Sequence, residues 1–174
     1  MLLIDRLCEV RYSSPRSATA ATTRILFIAG AGYERAAYGY MITVTAAIML
    51  KDGKVFIAQR KSSDYLPYKW EFPGGKLERG ETPEECLRRE MREEFGIEVS
   101  VGEFFCESIY PYEHFTIRLL AYLTSWVRGE PAAAVHEQYQ WVRIEALDDY
   151  EFLPADVPLV DRLRRTAREL MAKN

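Results

Sequence analysis

Hydrophobic and polar positions change character at Met41, where a continuous apolar run begins. The run MITVTAAIML (41–50) is rich in β-branched residues and predicts a largely buried strand. KDGK follows as a turn with Gly53 at a position that favours positive φ, and VFIAQR (55–60) predicts the second strand of a hairpin. After a polar loop, WEF (70–72) predicts a short extended segment that Pro73 ends.

The clearest helical pattern spans TPEECLRREMREEFG, residues 82–96. Thr82 is suited to the N-cap, Pro83 to the first helical position, and Gly96 to the C-terminal stop. At 100° per residue, one face of this helix is narrow and apolar, and it should contact the sheet. That apolar stripe consists of Leu87, Met91 and Phe95.

The rest of the chain alternates strands and helices. Strand-like patterns cover IEVSVGEFFCESIYPY, FTIRLLAYLTSWV and YQWVRI. A short helix is predicted near IEALDDY, and a C-terminal helix is predicted in PLVDRLRRTARELM. The order β-β-α-β-β-β-α-α, with antiparallel hairpins, predicts a mixed α/β layered domain.

Composition narrows the class of protein. The chain of 174 residues is long enough for one domain with a substantial core, and its net charge of −3 gives no sign of a nucleic-acid binder. No apolar run reaches the length of a membrane span, so we expect neither a nucleic-acid nor a membrane partner. Cys8, Cys86 and Cys106 lack metal-type spacing, which favours free thiols in a reducing compartment and a cytoplasmic protein.

Residues 1–40 differ from the remainder in charge and texture. They carry five Arg against three acidic residues, whereas residues 41–174 carry 18 Lys and Arg against 23 Asp and Glu. The segment SSPRSATAATTR (13–24) is small and polar, as in disordered segments. Three interpretations stay open for residues 1–40: an upstream extension outside the native chain, a dispensable tail, or a targeting segment. The predicted domain therefore spans residues 41–174.

Three carboxylates crowd the predicted helix at Glu90, Glu93 and Glu94, next to the apolar stripe. Partly desolvated carboxylates so close together would repel each other or take up protons. A divalent cation such as Mg²⁺ or Mn²⁺ would relieve this, since such hard cations prefer oxygen ligands. The alternative is a solvated acidic face with Arg partners. Gly74 and Gly75, which allow close backbone approach just before the helix, favour a phosphate ligand and a metal-charged site.

The loop and helix together match a known pattern. The pattern is Gly, five residues, Glu, seven residues, Arg-Glu, an apolar residue, any residue, Glu-Glu, any residue, Gly and an apolar residue. It is satisfied here by Gly75, Glu81, Arg89, Glu90, Met91, Glu93, Glu94, Gly96 and Ile97. The chain thus resembles the Nudix hydrolase family, and the resemblance implies a mixed β-sheet sandwiched between α-helices (α/β/α).

The resemblance also implies roles for these residues. Nudix hydrolases split a nucleoside diphosphate linked to another group by attack of water on phosphorus. Glu90, Glu93, Glu94 and the carbonyl of Gly74 would bind Mg²⁺, with Mn²⁺ as a possible substitute. Arg89 would orient a helix carboxylate, and Glu81 would assist the loop–helix arrangement or a metal-bound water.

The general base is less well defined by the resemblance. In MutT-like members, a Glu in the loop before the last central strand can bind metal or activate water. Glu137 is the nearest carboxylate before Trp141, but its offset is two residues short, and Val135 holds the matching position. Glu137 is the candidate general base, which joins Glu81, Arg89, Glu93 and Glu94 as candidate catalytic residues; the alternative is an ordinary exposed loop Glu. His114 and His136 are expected to be surface or packing residues.

Segments outside the box resemble the MutT-like branch of 8-oxo-dGTP and CTP pyrophosphohydrolases. WEFPGGKLERGETPEE (70–85) matches closely, Arg60 would lie near the nucleotide, and Lys76 beside the phosphates. FLPADVP (152–158) resembles the segment whose polar side chain reads the base. Asp156 stands where the MutT prototype has Asn, and an ionised Asp only accepts hydrogen bonds, which suits a cytosine amino group. An N-cap role for Asp156 stays open beside base reading.

The resulting expectation is an Mg²⁺-dependent nucleoside triphosphate pyrophosphohydrolase acting in nucleotide-pool sanitation. Its substrate would be a small nucleotide, and the protein would be a monomer or a homodimer. Two alternatives are a nucleoside-diphosphate-sugar or ADP-ribose hydrolase and a non-catalytic binding module. The intact set of box carboxylates argues against the binding module. Aromatic residues at Tyr65, Tyr68, Phe105, Tyr110 and Tyr112 offer stacking surfaces, but strand aromatics more often belong to a core.

Overall fold

A mixed sheet lies between two α-helices in the computed structural model, which describes residues 34–36 and 39–171. The strands are β1 (Glu34–Ala36), β2 (Gly39–Lys51), β3 (Lys54–Gln59), β4 (Trp70–Glu71), β5 (Glu98–Pro111), β6 (Phe115–Arg128) and β7 (Gln138–Arg143). The helices are α1 (Pro83–Phe95), α2 (Val157–Met171) and a short 3₁₀ helix, Ile144–Asp149. From β2 onward this element order agrees with the sequence pattern, with Trp70 and Glu71 of the predicted WEF segment forming β4, whereas β1 was not predicted.

Strand β2 is the centre of the sheet. It pairs in parallel with β6 from Tyr40↔Phe115 to Met49↔Thr124, and β5 pairs antiparallel on the far side of β6. Its hairpin with β3 is short, because only Leu50↔Val55 and Lys51↔Lys54 pair before the two strands separate. β3 continues in pairings with β7 and with β4. The separation leaves one edge of β2 available for another segment.

The core has two layers, one on each face of the sheet. Alternate residues of β2 face opposite helices, as expected for a strand buried on both sides. Ala46 and Ile48 pack in the cluster that contains Leu159 and Leu163 of α2, whereas Ala47 and Met49 pack in the cluster of α1. The α1 layer also contains Leu87, Met91 and Phe95, all fully buried. The predicted α/β/α arrangement is confirmed.

Helix α1 begins and ends where its sequence signals indicate. The Thr82 hydroxyl accepts a hydrogen bond from the Glu85 amide at 3.2 Å, and the Glu85 carboxylate accepts from the Thr82 amide at 2.8 Å. This capping box satisfies two amides that the first turn leaves without partners. Gly96 ends the helix with φ of 68°, the left-handed conformation that glycine adopts most easily.

The predicted domain boundary at Met41 falls inside β2, which begins at Gly39 and pairs with β1 through Ala36↔Gly39. The predictions for residues 1–33, including the thiol of Cys8, lie outside the described residues. In the described part, Cys86 and Cys106 are buried and form no disulfide. No helix among the described residues is long and apolar enough to cross a membrane.

Candidate active site

The loop that precedes α1 occupies the open edge of β2. The amide of Ala47 donates to the Pro73 carbonyl at 2.7 Å, and the amide of Thr45 donates to the Gly75 carbonyl at 2.8 Å. The Leu77 amide donates in turn to the Thr43 carbonyl at 3.0 Å. The loop therefore lies along the central strand like a short additional strand, and it fixes the N-terminus of α1 against the sheet.

Two glycines allow this loop to pack so closely. A Cβ at Gly74 would lie 2.0 Å from the Thr45 carbonyl oxygen, and φ at Gly74 is 156°. A Cβ at Gly75 would lie 2.2 Å from the carboxylate carbon of Glu90. Gly74 thus lets the loop approach β2, and Gly75 leaves the space that the Glu90 carboxylate fills.

Arg89 connects the loop to the helix carboxylates. Its Nε and Nη2 donate to the two oxygens of Glu81 at 2.9 and 3.0 Å, a bidentate pair. Its Nη1 donates to Glu90 at 2.6 Å and to Glu93 at 3.4 Å, and its Nη2 also donates to the Lys76 carbonyl at 3.3 Å. The hydrogen bond from Arg89 lowers the pKa of Glu81. Arg89 therefore favours the ionised form of Glu81 and joins it to Glu90 beside the loop.

Glu94 stands apart from this ion-pair network. Burial, followed by the neighbouring charges of Glu90 and Glu71, raises the pKa of Glu94 to about 8. Its buried Oε2 has no hydrogen-bond partner within the described residues. An unpaired buried carboxylate oxygen is costly, and a cation close to it would remove that cost.

The helix carboxylates are not equally desolvated, contrary to the sequence interpretation. The side chain of Glu93 is 61% exposed, whereas that of Glu90 is 14% exposed. Glu93 lies roughly 160° around the helix from the centre of the apolar stripe, at 100° per residue. It therefore points to solvent, while Glu90 and Glu94 flank the stripe and lie against the loop and the sheet.

The chemistry of these acidic side chains suits a divalent cation, but their positions do not form a complete metal site within the described residues. No group of three or more His, Cys, Asp or Glu side chains converges as a metal site in residues 34–36 and 39–171. The orphaned Glu94 oxygen and the neighbouring Glu90 supply the hard oxygen atoms that such cations prefer.

An apolar pocket of about 340 Å³ lies beside the loop. Gly74 belongs to its lining, and the adjacent Gly75 lies against the Glu90 carboxylate, so the loop borders both the pocket and a helix carboxylate. The remaining lining residues are Ile42, Val44, Arg60, Tyr65, Leu66, Glu71, Phe72, Tyr112, Phe115, Ile117, Leu119, Leu153, Ala155 and Asp156. An apolar cavity with a few polar groups is typical of small-molecule sites.

Asp156 lies at the buried end of this pocket. Its Oδ1 accepts a hydrogen bond from the Phe72 amide at 2.9 Å, and the residue is 3% exposed. Its backbone carbonyl, not its carboxylate, accepts from the Val160 amide at the start of α2. Burial raises the pKa of Asp156 well above its usual value. The sequence-based expectation was an ionised Asp156 that only accepts, whereas burial here disfavours the charged form, and a carboxyl that takes up a proton can also donate.

Glu71, a residue of the pocket wall, makes contacts that the sequence did not reveal. Glu71 accepts from Arg60 Nη1 at 3.0 Å through Oε2, and its Oε1 lies 2.9 Å from His136 Nε2. His136 is buried and stacks on Phe95, as the packing interpretation expected. The sequence could have indicated Glu71 only through its position directly before FPGG. Periodicity along the chain cannot predict an ion pair between segments that are distant in sequence.

The other predicted residues are placed as follows. The Arg60 side chain is held by Glu71 and by the Tyr65 carbonyl, at 3.1 Å from Nε, and it belongs to the pocket lining. Lys76 is an exposed residue of the loop. Glu137 is also exposed, and it belongs neither to the pocket lining nor to the Arg89 network. His114 is at the surface, with 82% of its side chain exposed.

Aromatic side chains line the pocket more than the sequence interpretation allowed. Tyr65 and Tyr112 meet edge to face with ring centroids 6.1 Å apart, and Tyr112 stacks on Phe115 at 5.1 Å. Tyr110 packs against the α2-side core, as a strand aromatic is expected to do. Tyr68 is exposed. The pocket therefore offers flat aromatic surfaces beside the carboxyl of Asp156.

Comparisons with known proteins agree with this geometry. The family model for the NUDIX domain matches residues 39–163. The CTP pyrophosphohydrolase of Escherichia coli (strain K12) is 38% identical over 121 residues, which covers 70% of this chain and 90% of that protein. The 8-oxo-dGTP diphosphatase of Haemophilus influenzae is 36% identical over 124 residues, covering 71% of this chain and 91% of that protein.

Solved structures show the same fold. The solution structure of the E. coli ORF135 protein has 37% identity and a TM-score of 0.64, covering 74% of this chain and 93% of that one. A MutT structure from methicillin-resistant Staphylococcus aureus 252 has 34% identity and a TM-score of 0.61, covering 74% and 98%. This chain therefore belongs to the Nudix hydrolases, among their MutT-like members, a family that acts on diphosphate bonds and generally uses divalent metal cations.

Proposed function

We propose that this protein is an Mg²⁺-dependent nucleoside triphosphate pyrophosphohydrolase that converts a (deoxy)nucleoside triphosphate and water into the monophosphate and diphosphate. Its role would be nucleotide-pool sanitation in the cytoplasm. The observation that carries the proposal is the loop at Gly74 and Gly75, because Gly75 lies against the Glu90 carboxylate and Gly74 lines the apolar pocket. A nucleotide with its base in the pocket would extend its phosphates across that loop.

Glu90, Glu93 and Glu94, with the carbonyl of Gly74, are the proposed Mg²⁺ ligands, and Mn²⁺ would substitute. The cation would offset the phosphate charge and lower the pKa of a bound water. Arg89 would keep Glu90 beside the loop, because it donates to that carboxylate at 2.6 Å. The orphaned Oε2 of Glu94 supports a cation at this place.

The remaining residues are assigned to substrate and to proton transfer. Arg60 and Asp156 line the pocket, which supports roles in binding the nucleotide. Lys76, on the loop, would contact the phosphates. Glu137, whose side chain is exposed, is the proposed general base. Glu137→Gln tests this assignment, since an unchanged turnover number would exclude Glu137 as the base.

Two substrate groups suit the pocket, and relatives of this chain are named for each. The E. coli relative is a CTP pyrophosphohydrolase, and the H. influenzae relative is an 8-oxo-dGTP diphosphatase. A protonated Asp156 can donate to the oxygen of 8-oxoguanine or accept from an amino group. The residue therefore does not by itself select cytosine, and the base has to be measured.

Product analysis with Mg²⁺ tests the proposal. The panel contains 8-oxo-dGTP, dGTP, CTP, dCTP, 5-methyl-dCTP and ADP-ribose. Monophosphate and diphosphate from one of the triphosphates is the expected result, and the best substrate identifies the base. Turnover of ADP-ribose alone would transfer the protein to the sugar-nucleotide hydrolases. No turnover of any member would favour a binding module.

A further inference from the structure

His136 makes a contact between two parts of the proposed site that are distant in sequence. Its Nε2 lies 2.9 Å from Oε1 of Glu71, a residue of the pocket wall. Its ring stacks on Phe95, with centroids 5.1 Å apart and an angle of 17° between the rings. Phe95 is the last residue of α1 and directly follows Glu94. One imidazole therefore contacts the pocket and the end of the carboxylate helix together.

The imidazole is held in place by this packing. His136 is 6% exposed, and Phe95 is fully buried. The next residue, Glu137, donates its backbone amide to the Gln59 carbonyl at 2.8 Å, which fixes the chain beside the ring. A ring enclosed in this way cannot rotate freely, so the direction of its Nε2 is set by the fold.

The hydrogen-bonding pattern places a hydrogen of His136 on Nε2. A carboxylate oxygen only accepts, so the nitrogen facing Glu71 must donate. The other ring nitrogen, Nδ1, is buried without a hydrogen-bond partner within the described residues. A hydrogen on Nε2 therefore satisfies the Glu71 carboxylate.

Glu71 is fixed from both sides by this arrangement. Arg60 donates to its Oε2 at 3.0 Å, and His136 donates to its Oε1. Each carboxylate oxygen can accept two hydrogen bonds, so both retain acceptor capacity. Because Glu71 belongs to the pocket lining, that capacity is available to a hydroxyl or amino donor of a bound nucleoside.

We propose that His136 is a positioning residue, which orients the Glu71 carboxylate toward the nucleoside and keeps the pocket wall in register with the end of α1. The proposal rests on the proposed function, because it takes a nucleotide as the occupant of the pocket. It concerns binding of the nucleoside, and the chemistry at phosphorus stays with the helix carboxylates. Loss of His136 should therefore weaken nucleotide binding more than it slows turnover.

Two substitutions of His136 separate the donor from the bulk of the ring. In His136→Gln the amide nitrogen can reach the position of Nε2, whereas in His136→Asn it reaches only the position of Nδ1. Glu71→Gln weakens the same contact without altering the packing on Phe95. His114→Asn is the matched control, because 82% of that side chain is exposed.

The measurements are KM and kcat for the best triphosphate, and Kd for the corresponding nucleoside monophosphate by calorimetry. We expect His136→Asn to raise KM and Kd about tenfold, as for loss of one charged hydrogen bond, with kcat within about threefold. His136→Gln should restore most of the affinity. Glu71→Gln should resemble His136→Asn, and the double variant should be no weaker than Glu71→Gln alone.

Three results would overturn the inference. The first is an unchanged KM and Kd in His136→Asn, and the second is an equal loss of affinity in His136→Gln and His136→Asn. The third is a loss of affinity in the double variant that equals the product of the two single losses. Failure of the proposed function is distinguishable from these. A wild-type protein that binds the monophosphate but hydrolyses no triphosphate refutes the function, while the Kd series still decides the role of His136. Absence of nucleotide binding by the wild type refutes both.

Discussion

Gly75→Ala is a small change that tests how the loop and α1 fit together. The added Cβ would lie 2.2 Å from Cδ and Oε1 of Glu90, whereas real Cβ atoms keep at least 3.0 Å from other heavy atoms. The Glu90 carboxylate would therefore move by at least about 0.8 Å, the difference between these distances. Arg89 holds that carboxylate at 2.6 Å, so the movement also disturbs the ion pair.

The size of the effect follows from this displacement. An added methyl group in a tightly packed position costs about 1–3 kcal/mol of folding free energy. A group displaced by about 1 Å from a catalytic arrangement can lower the rate by about 10²-fold. We therefore expect Gly75→Ala to lose about 1–3 kcal/mol of stability and about two orders of magnitude in turnover with Mg²⁺.

Urea denaturation measures the loss of stability, and steady-state kinetics measure the loss of turnover. The same substitution in a Glu90→Ala protein tests whether the collision with Glu90 is the cause. In a Glu90→Ala protein the colliding carboxylate is absent, so Gly75→Ala should cost less than about 0.5 kcal/mol. Gly102→Ala is the matched control, because its Cβ would meet only the Leu123 carbonyl oxygen at 3.3 Å. An equal loss of stability in the wild-type and Glu90→Ala backgrounds would refute the steric argument.

Three further predictions concern titration and the ion-pair network. Because the pKa of Glu94 is raised to about 8, the metal-free protein should lose stability as pH rises from about 4.5 to about 8. At pH 9 in EDTA, thermal denaturation should therefore show Glu94→Gln to be about 1–3 kcal/mol more stable than the wild type. Mg²⁺ should not raise the Tm of this variant, and the variant should lose turnover. The raised pKa of Asp156 likewise makes wild-type stability fall as pH increases above about 4, and urea titrations should show that slope reduced in Asp156→Asn. Arg89→Lys keeps the charge but loses the two-oxygen contact with Glu81, so urea denaturation should show a loss of about 1–2 kcal/mol in stability. The control Arg88→Lys, at an exposed position, should leave stability unchanged.

Local elements of the fold were predictable because their signals are contained in short stretches of chain. The caps of α1 at Thr82 and Gly96 follow from residue type at one position, and the buried stripe follows from helical periodicity. The hairpin turn at Gly53 has the positive φ of 70° that its sequence indicated. The box pattern, which is also local, identified the family and the group of acidic residues.

Differences among those residues were not predictable in the same way. Glu93 and Glu94 are adjacent in sequence, but Glu93 is largely exposed while Glu94 carries a buried, unpaired oxygen. Their environments depend on which segments cover α1, and the covering loop is docked by hydrogen bonds to the edge of β2. A helical wheel gives direction around one axis and contains no information about those segments.

The sequence by itself therefore determined the order of elements, the α/β class, the helix boundaries and the acidic residue types of the site. Only the tertiary structure decided that Asp156 is buried with a raised pKa, that Arg89 joins three carboxylates, and that His136 contacts Glu71. Secondary structure is encoded by neighbours a few residues apart. Protonation and pairing depend on desolvation and on charges brought together from distant segments, so they are properties of the folded chain.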